Sequence, residues 1–177
     1  MPIDQITSAS LASGVPTRAQ LPAGSVLQVV STTKTDTFSL ATSTFTDITG
    51  LSVTITPTSS ASKILVMAAT NASGPAAAYM ASTRLVRNST AIYVGDAAGS
   101  RIQASVSARN NDTGDTRMHS MVFLDSPATT SATTYKVQLA CQENATIFVN
   151  RSFDDQDVGN AARARTASSI TVMEIAA

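Results

Sequence analysis

The segment from Gly24 to Val66 alternates apolar and hydroxylated residues with a period of two, and this pattern constrains the fold more than any other feature. Within it, Leu51, Val53 and Ile55 fall on one side of an extended chain, and the serine and threonine between them fall on the other. Such alternation is typical of antiparallel strands with one face in a core and one face in water. The segment therefore predicts a β protein.

The composition extends this prediction to the whole chain. Its 177 residues include 23 serines and 25 threonines, whereas charged residues make up only 14%, against the ~25% typical of soluble domains. Threonine and valine favour strands, and serine favours turns. We expect about eight to ten short strands in an all-β, antiparallel two-sheet sandwich of jelly-roll-like order. An immunoglobulin-like sandwich is the alternative, but the chain has no tryptophan and no cysteine pair.

Several individual elements can be placed from the same alternation and from turn residues. Asn88-Ser89 is predicted to form a hairpin turn, because asparagine tolerates positive φ. Cys141 lies in an alternating segment and is interpreted as a small buried hydrophobe. Phe38 and Phe45 are expected to close one end of the core. Further predicted strands include Lys63–Thr70 as a central strand, Ile102–Ala108, and Ser168–Ile175 as the last strand.

Residues 1–23 differ from the rest, because they contain three prolines and show no sustained period. A segment of this kind cannot bury its own apolar residues. We predict an extended N-terminal attachment arm over 1–23 and a β-sandwich domain over 24–177. The arm is expected to dock on a neighbouring subunit or another protein through its apolar residues Ile3, Ile6, Leu11 and Leu21.

Charge and hydropathy exclude several classes of partner. Twelve basic and twelve acidic residues give a net charge of zero, so the basic surface of a nucleic-acid-binding protein is not expected. The N-terminus lacks the pattern of a secretory signal, and no apolar run approaches the ~18 residues of a membrane helix. We therefore expect synthesis in a cytoplasm without membrane insertion. A lone cysteine predicts no intrachain disulfide and no cysteine-based zinc site.

The only histidine, His119, is weak support for catalysis. A Ser–His–Asp site would need this histidine held by an acid and placed beside a serine. Its neighbours alternate as a strand, so a loop or strand-surface position is expected, including one at an interface. No catalytic residue and no cofactor are predicted.

Acidic residues are candidates for two other kinds of site, a glycosidase active site and a calcium-binding loop. Glycan cleavage needs two carboxylates, and the candidates are Glu143, Glu174 and the group Asp154, Asp155 and Asp157. An Asp-x-Asp pair is also part of some calcium loops, but the other expected oxygen ligands are absent from the sequence pattern. This aspartate group precedes Arg163 and Arg165, which favours ion pairs within the loop or across a subunit interface. No metal site is predicted.

A binding surface requires fewer specifically placed residues than a catalytic site does. Tyr79 and Tyr93 border the loops 71–78 and 95–99, and aromatic faces on loops suit carbohydrate recognition. Together with Asp154, Asp155 and Asp157 they are candidate loop contacts. The alternative interpretation is that the two tyrosines only cap strand ends.

Eight segments of the chain stand in a distinctive order. They are GSVLQVVST (24–32), GLSVTITP (50–57), SKILV (62–66), RLVR (84–87), VGDAAGSR (94–101), FLDSPATTSATTYKVQ (123–138), NRSFDD (150–155) and TASSITVMEI (166–175). In this order they resemble the C-terminal β-domain of tail-fibre and other virion structural proteins from tailed bacteriophages, in particular cyanophage-like phages of aquatic bacteria. The resemblance covers nearly everything after residue 23.

The resemblance implies a homotrimer on the virion surface, made in the host bacterial cytoplasm, with its β-domains around a three-fold axis. The arm would attach it to other virion proteins, in the tail, the baseplate or the capsid. The short arm suits a compact fibre or knob that contacts the host surface, including host surface glycan, through distal loops. A capsid decoration or cement protein is the alternative. A glycan-degrading appendage enzyme is the third hypothesis.

Overall fold

The computed structural model describes residues 21–75, 79–159 and 161–177, so Ile3, Ile6 and Leu11 of the predicted arm lie outside the described residues. The described chain is built from strands, with two short 3₁₀ turns at Gln142–Asn144 and Ala161–Arg163. The strands are β1 (Val26–Lys34), β2 (Phe38–Leu40), β3 (Thr46–Ile55), β4 (Lys63–Ser73), β5 (Met80–Arg87), β6 (Thr90–Ile92), β7 (Val106–Arg109), β8 (Arg117–Asp125), β9 (Thr133–Cys141), β10 (Ile147–Val149) and β11 (Ser168–Ile175).

The strands form two antiparallel sheets that pack face to face. Sheet A has the order β1-β11-β4-β10-β2, with β8 also paired to β4, and sheet B has the order β3-β9-β5-β6, with β7 also paired to β5. Without the three-residue strands β2, β6 and β10, the sheets read β1-β11-β4-β8 and β3-β9-β5-β7. Two interleaved four-strand sheets of this order are a jelly roll. The predicted all-β sandwich is confirmed, and the immunoglobulin-like alternative is wrong.

The core lies between the inward faces of the two sheets. Leu51, Val53 and Ile55 of β3 are buried, as their alternation predicts. The strand β4 is central as predicted, since it pairs with β11 on one side and with β8 on the other. Cys141 is buried and is a free thiol.

Two local predictions are wrong. The segment before Val106 is a loop, in which Gly95 N–H donates to the Ala104 carbonyl and Gln103 Nε2 donates to the Gly95 carbonyl. These bonds fold the segment onto itself, and Ile102 is 61% exposed. Of the two phenylalanines expected in the core, only Phe38 packs there. The ring of Phe45 instead lies 4.2 Å beneath the Arg84 guanidinium.

The sandwich has two chemically different ends. At the first, called the arm end, Gly24 N–H donates to the Ala176 carbonyl at 2.8 Å and Ala176 N–H donates to the Ser25 carbonyl at 2.9 Å. The second, called the far end, is where β1 finishes at Lys34 beside Ser168 of β11. A nine-residue strand places these ends about 30 Å apart. No helix among residues 21–75, 79–159 and 161–177 has the length and apolarity to cross a membrane.

Candidate functional site

The longest polar loop of the far end, residues 150–167, is held in place by a buried asparagine. Asn150 Nδ2 donates to the carbonyls of Lys34 and Asp36 at 2.8 and 3.0 Å, and its Oδ1 accepts the Ser168 hydroxyl at 2.6 Å. The loop closes where Thr166 N–H donates to the Asn150 carbonyl. Asparagine suits this position because its φ of 64° is one that most other side chains avoid.

Asp154 and its neighbour Phe153 lie where this loop contacts a second loop, residues 110–116. One carboxylate oxygen lies 2.8 Å from Arg163 Nη2, and the other accepts the Ser152 hydroxyl at 3.1 Å. The backbone N–H of Phe153 donates to the carbonyl of Thr113, in the loop between β7 and β8. The Arg163 guanidinium lies against Gly114, where a Cβ atom would overlap it. Ionic and backbone contacts therefore hold the 150–167 and 110–116 loops together.

The next residue, Asp155, is engaged by two guanidinium groups. Arg151 Nη1 lies 2.7 Å from Asp155 Oδ2, and Arg165 Nη2 lies 2.8 Å from Oδ1. The Arg151 guanidinium also lies 3.6 Å from the centre of the Phe148 ring, a cation–π contact. Of the two expected arrangements, ion pairs within the loop or across a subunit interface, the structure shows the first for both Arg163 and Arg165.

These residues form one side of an open groove of about 390 Å³. Its walls combine guanidinium donors, a carboxylate acceptor, hydroxyl groups and two phenylalanine side chains. Small-molecule sites use the same combination of apolar surface and a few polar groups that orient the ligand. The groove therefore presents hydrogen-bond donors and acceptors beside apolar surface. It is lined by Thr37, Phe38, Ser39, Phe148, Arg151, Asp155 and Arg165.

The far end brings together most of the predicted loop contacts. Asp154 and Asp155 lie in the ion-pair cluster, Asp157 is exposed in the same loop, and Tyr79 is half-buried just before β5 at that end. Tyr93 is placed elsewhere, where its ring stacks on Phe123 with the centroids 5.2 Å apart. Tyr93 directly follows β6 and is 44% exposed.

Sequence reasoning missed Arg151 and Phe148 as members of the site. The signal for Arg151 is its position four residues before Asp155. The signal for Phe148 is its place between Ile147 and Val149, which are buried and so turn the phenylalanine ring outward.

Glu174, one of the candidate carboxylates, is a buried structural group at the arm end. It accepts Thr58 N–H and Thr58 Oγ1–H at 2.7 Å each, and Gln28 Nε2 donates to it at 2.6 Å. Burial alone would raise the pKa of Glu174, but the hydrogen bonds from Thr58 and Gln28 oppose burial, and the net effect is a lowered pKa. The carboxylate thus fixes the 57–62 turn to the last strand.

His119 lies on β8 but faces the core, so the expected surface position is wrong. The side chain is 0% exposed, and Nδ1 shares a 2.9 Å hydrogen bond with the Thr83 hydroxyl of sheet B. Nε2 has no hydrogen-bond partner among the described residues. Burial lowers the pKa of His119 to about 4. The imidazole is therefore neutral near pH 7 and closed off from external substrates.

In the described part of the chain, no group of three or more His, Cys, Asp or Glu side chains is placed to hold a metal ion.

Comparison with known proteins yields structural likeness without a sequence match. No protein-family model matches the sequence, and no curated protein matches it either. Among solved structures, the chain is similar to one from the "Structure of infectious bursal disease virus Gt strain", with a TM-score of 0.43 and 13% sequence identity. The similarity covers 85% of this chain and 38% of that chain.

Proposed function

We propose that the protein is a structural virion protein of a tailed phage, a homotrimeric short fibre or knob on the virion surface. Its arm attaches it to other virion proteins, and its far-end loops contact the host surface. The observation that carries this proposal is the separation of the two ends. The arm enters beside Ala176, whereas the Asp154–Asp155 cluster lies at the opposite end of the same strands. A tethered binding domain needs its attachment point and its binding surface apart.

The groove chemistry favours reversible binding to host surface glycan. Arg165 is 59% exposed in its side chain and remains accessible while it holds Asp155. Guanidinium and carboxylate groups fixed by each other offer hydrogen bonds in defined directions, and this lowers the entropic cost of binding a sugar.

We further propose a non-catalytic role. Both carboxylates of the cluster are held by arginines, Asp154 by Arg163 and Asp155 by Arg151 and Arg165. A glycosidase needs two carboxyl groups that are free to flank the glycosidic bond, whereas both of these are already engaged by guanidinium donors. Wild-type protein should release no reducing sugar from host polysaccharide, and any release that Asp155→Ala abolishes would overturn this proposal.

The function is tested on the phage particle that carries the protein. Immunogold labelling should place it on the tail or baseplate, and quantitative mass spectrometry should give a few trimers per particle. A phage with Arg165→Ala should adsorb to its host more slowly, while Lys136→Ala, on the outer face of sheet B, should leave adsorption unchanged. Equal adsorption of both variants would contradict host contact through the far-end loops.

The arm is tested separately, by removing residues 1–23. The truncated chain should fold, because the described strands begin at Val26, but it should be missing from purified particles. Its incorporation at the wild-type level would contradict attachment through the arm.

A capsid decoration or cement protein is the second candidate. It is favoured by the exposed apolar residues of β8, such as Val122 and Leu124, which would suit a contact with a capsid lattice. Copy number separates the two candidates, since hundreds of copies per particle fit decoration and contradict a fibre.

A further inference from the structure

The two outer faces of the sandwich differ sharply in chemistry. On sheet B, Arg84 Nε donates to Gln138, Gln138 donates to Asp47, and Lys136 lies 2.6 Å from the same Asp47 carboxylate. Thr54 and Thr134 add a hydroxyl pair on this face. Such a surface is well solvated and needs no cover.

The outer face of sheet A is instead apolar. The strand registers place Val29 beside Met173, Met173 beside Leu65, and Leu65 beside Leu124. One row of four apolar side chains therefore crosses the sheet from β1 to β8. Val29 and Leu124, at the two ends of the row, are 54% and 53% exposed. The row and its apolar neighbours are called the apolar face, which consists of Val29, Leu65, Met67, Val122, Leu124, Met173 and Ile175.

This face carries almost no charge. The outward side chains of the four described strands β1, β11, β4 and β8 are apolar, hydroxylated or amide, and Lys63 at the arm-end corner is the only charged one. Identical copies can approach through it without bringing like charges together. A strongly charged partner would lose hydration and gain no ion pair. The charge pattern therefore favours further copies of this chain over a charged partner.

The dimensions of the face suit a three-fold axis. Four strands spaced ~4.8 Å apart make a face about 19 Å wide, and seven residues of β4 make it about 23 Å long. An equilateral triangle with sides of about 19 Å has its centre about 5.5 Å from each side. This is close to half of the ~10 Å that separates packed sheets. Three such faces would thus fill the axis with side chains.

The edges of the face support the same arrangement. Neither β1 nor β8 has a second strand partner among the described strands, so each is a free edge. Rotation about a three-fold axis brings β1 of one copy beside β8 of the next, which closes a ring through two different surfaces. A face-to-face pair would leave both edges open.

We infer that the apolar face is the trimer interface, with Leu65 and Met173 directed at a three-fold axis and Val29 of one copy against Leu124 of the next. This inference rests on the proposed homotrimer and adds the surface that forms it. It is independent of how the far-end loops bind the host.

Cysteine pairs test the geometry in the full chain. Val29 and Leu124 are three strand spacings apart within one copy, about 14 Å, which is too far for an internal disulfide. The native Cys141 is buried and does not compete. After oxidation with copper phenanthroline, Val29→Cys/Leu124→Cys should run as a covalent trimer on a non-reducing gel, and each single variant should run as one chain. The matched control is Ser52→Cys/Ser107→Cys, on the edge strands of sheet B, which should not cross-link.

Light scattering on the same proteins completes the test. Wild type should have three times the chain mass of 18.3 kDa, Leu65→Glu should have one chain mass with an unchanged circular dichroism spectrum, and Ser52→Glu should remain trimeric. Covalent dimers from a single cysteine variant would overturn the three-fold arrangement. If the Leu65→Glu variant stays trimeric and the double-cysteine variant gives no cross-link, the apolar face is not the trimer interface, although the protein is still a trimer. A wild-type protein with the mass of one chain would overturn both the homotrimer and the proposed interface. Host binding by the far-end loops would still be tested separately by the adsorption experiment.

Discussion

Tyr135 of sheet B donates its phenolic O–H to Asp125 Oδ2 of sheet A at 2.7 Å, and so joins the two sheets by a buried hydrogen bond at the arm end. Arg87 Nη1 lies 2.8 Å from the other oxygen of the same carboxylate. Burial and the Asp125 carboxylate both raise the pKa of Tyr135, so its hydroxyl remains a donor at neutral pH.

Removing the Asp125 carboxylate should lower the free energy of unfolding more than removing the Tyr135 hydroxyl does. Tyr135→Phe leaves Asp125 paired with Arg87 and should lower the free energy of unfolding by about 1–2 kcal/mol. Asp125→Ala leaves both a buried hydroxyl and a guanidinium without their acceptor and should cost about 3 kcal/mol or more. Urea denaturation measures both. Equal losses in the two variants would contradict the central role of the carboxylate.

The buried imidazole of His119 should make stability depend on pH in a defined range. Its pKa is about 4 in the folded chain, below the ordinary 6.5, so the unfolded chain binds the proton first. The stabilisation is complete above pH 6.5 and is lost as the pH falls from 6.5 towards 4, by about 1 kcal/mol between pH 6 and 5. The lowered pKa values of Asp36, Asp47 and Glu174 act below this range, because those carboxyl groups titrate near pH 4 when unfolded.

Urea midpoints at pH 5, 6 and 7 measure this effect. His119→Gln lacks the titrating ring and should show a flat profile over the same interval, whatever its absolute stability. A variant that keeps the wild-type slope would show that another group causes it.

Asn150 should control the order of the whole 150–167 loop. Asn150→Ala removes three hydrogen bonds, two of them buried, and places alanine at a φ of 64°, so the free energy of unfolding should fall by about 3 kcal/mol. Trypsin should then cleave after Arg151, Arg163 or Arg165 faster than in wild type. The exposed Asn111 provides the control, because Asn111→Ala should change stability by less than about 0.5 kcal/mol.

Gly114 and Gly159 give a matched pair of glycines on the two far-end loops. A Cβ at Gly114 would overlap the Arg163 guanidinium and come within 3.0 Å of the Ala162 carbonyl oxygen. Gly114→Ala should therefore displace Arg163 from Asp154 and cost about 1–3 kcal/mol. Gly159 has nothing within 4 Å of a new Cβ, so Gly159→Ala should be neutral. Calorimetry would compare them, and equal melting temperatures would contradict the packing of Arg163 on Gly114.

The sequence was sufficient for the fold class, because one-sided alternation such as that of β3 leaves a single choice of inward face. The sequence was not sufficient for β8, because this strand is apolar on both faces between residues 121 and 124. Met121 and Phe123 lie on one face, and Val122 and Leu124 lie on the other. A strand that is apolar on both faces does not reveal which face is inward. The alternation of β8 therefore predicts neither the inward position of His119 nor the apolar face.

The far-end site shows the same limit in a different form. The pairing of Arg163 and Arg165 with the aspartates follows from short separations along the chain. The contact between that loop and Thr113 joins residues about 40 positions apart, and no local pattern predicts it. Long-range packing also determines the positions of the two tyrosines, since Tyr79 lies at the far end and Tyr93 does not.

The antiparallel pairing of β1 with β11 has a mechanical consequence. A domain anchored through the segment before Val26 and loaded at its far end would be pulled along β1 rather than across it. The paired residues from Val26 to Lys34 would then carry the force together, in shear, instead of separating one after another. In the proposed host-binding role, the pull of a bound cell would therefore act on β1 in shear.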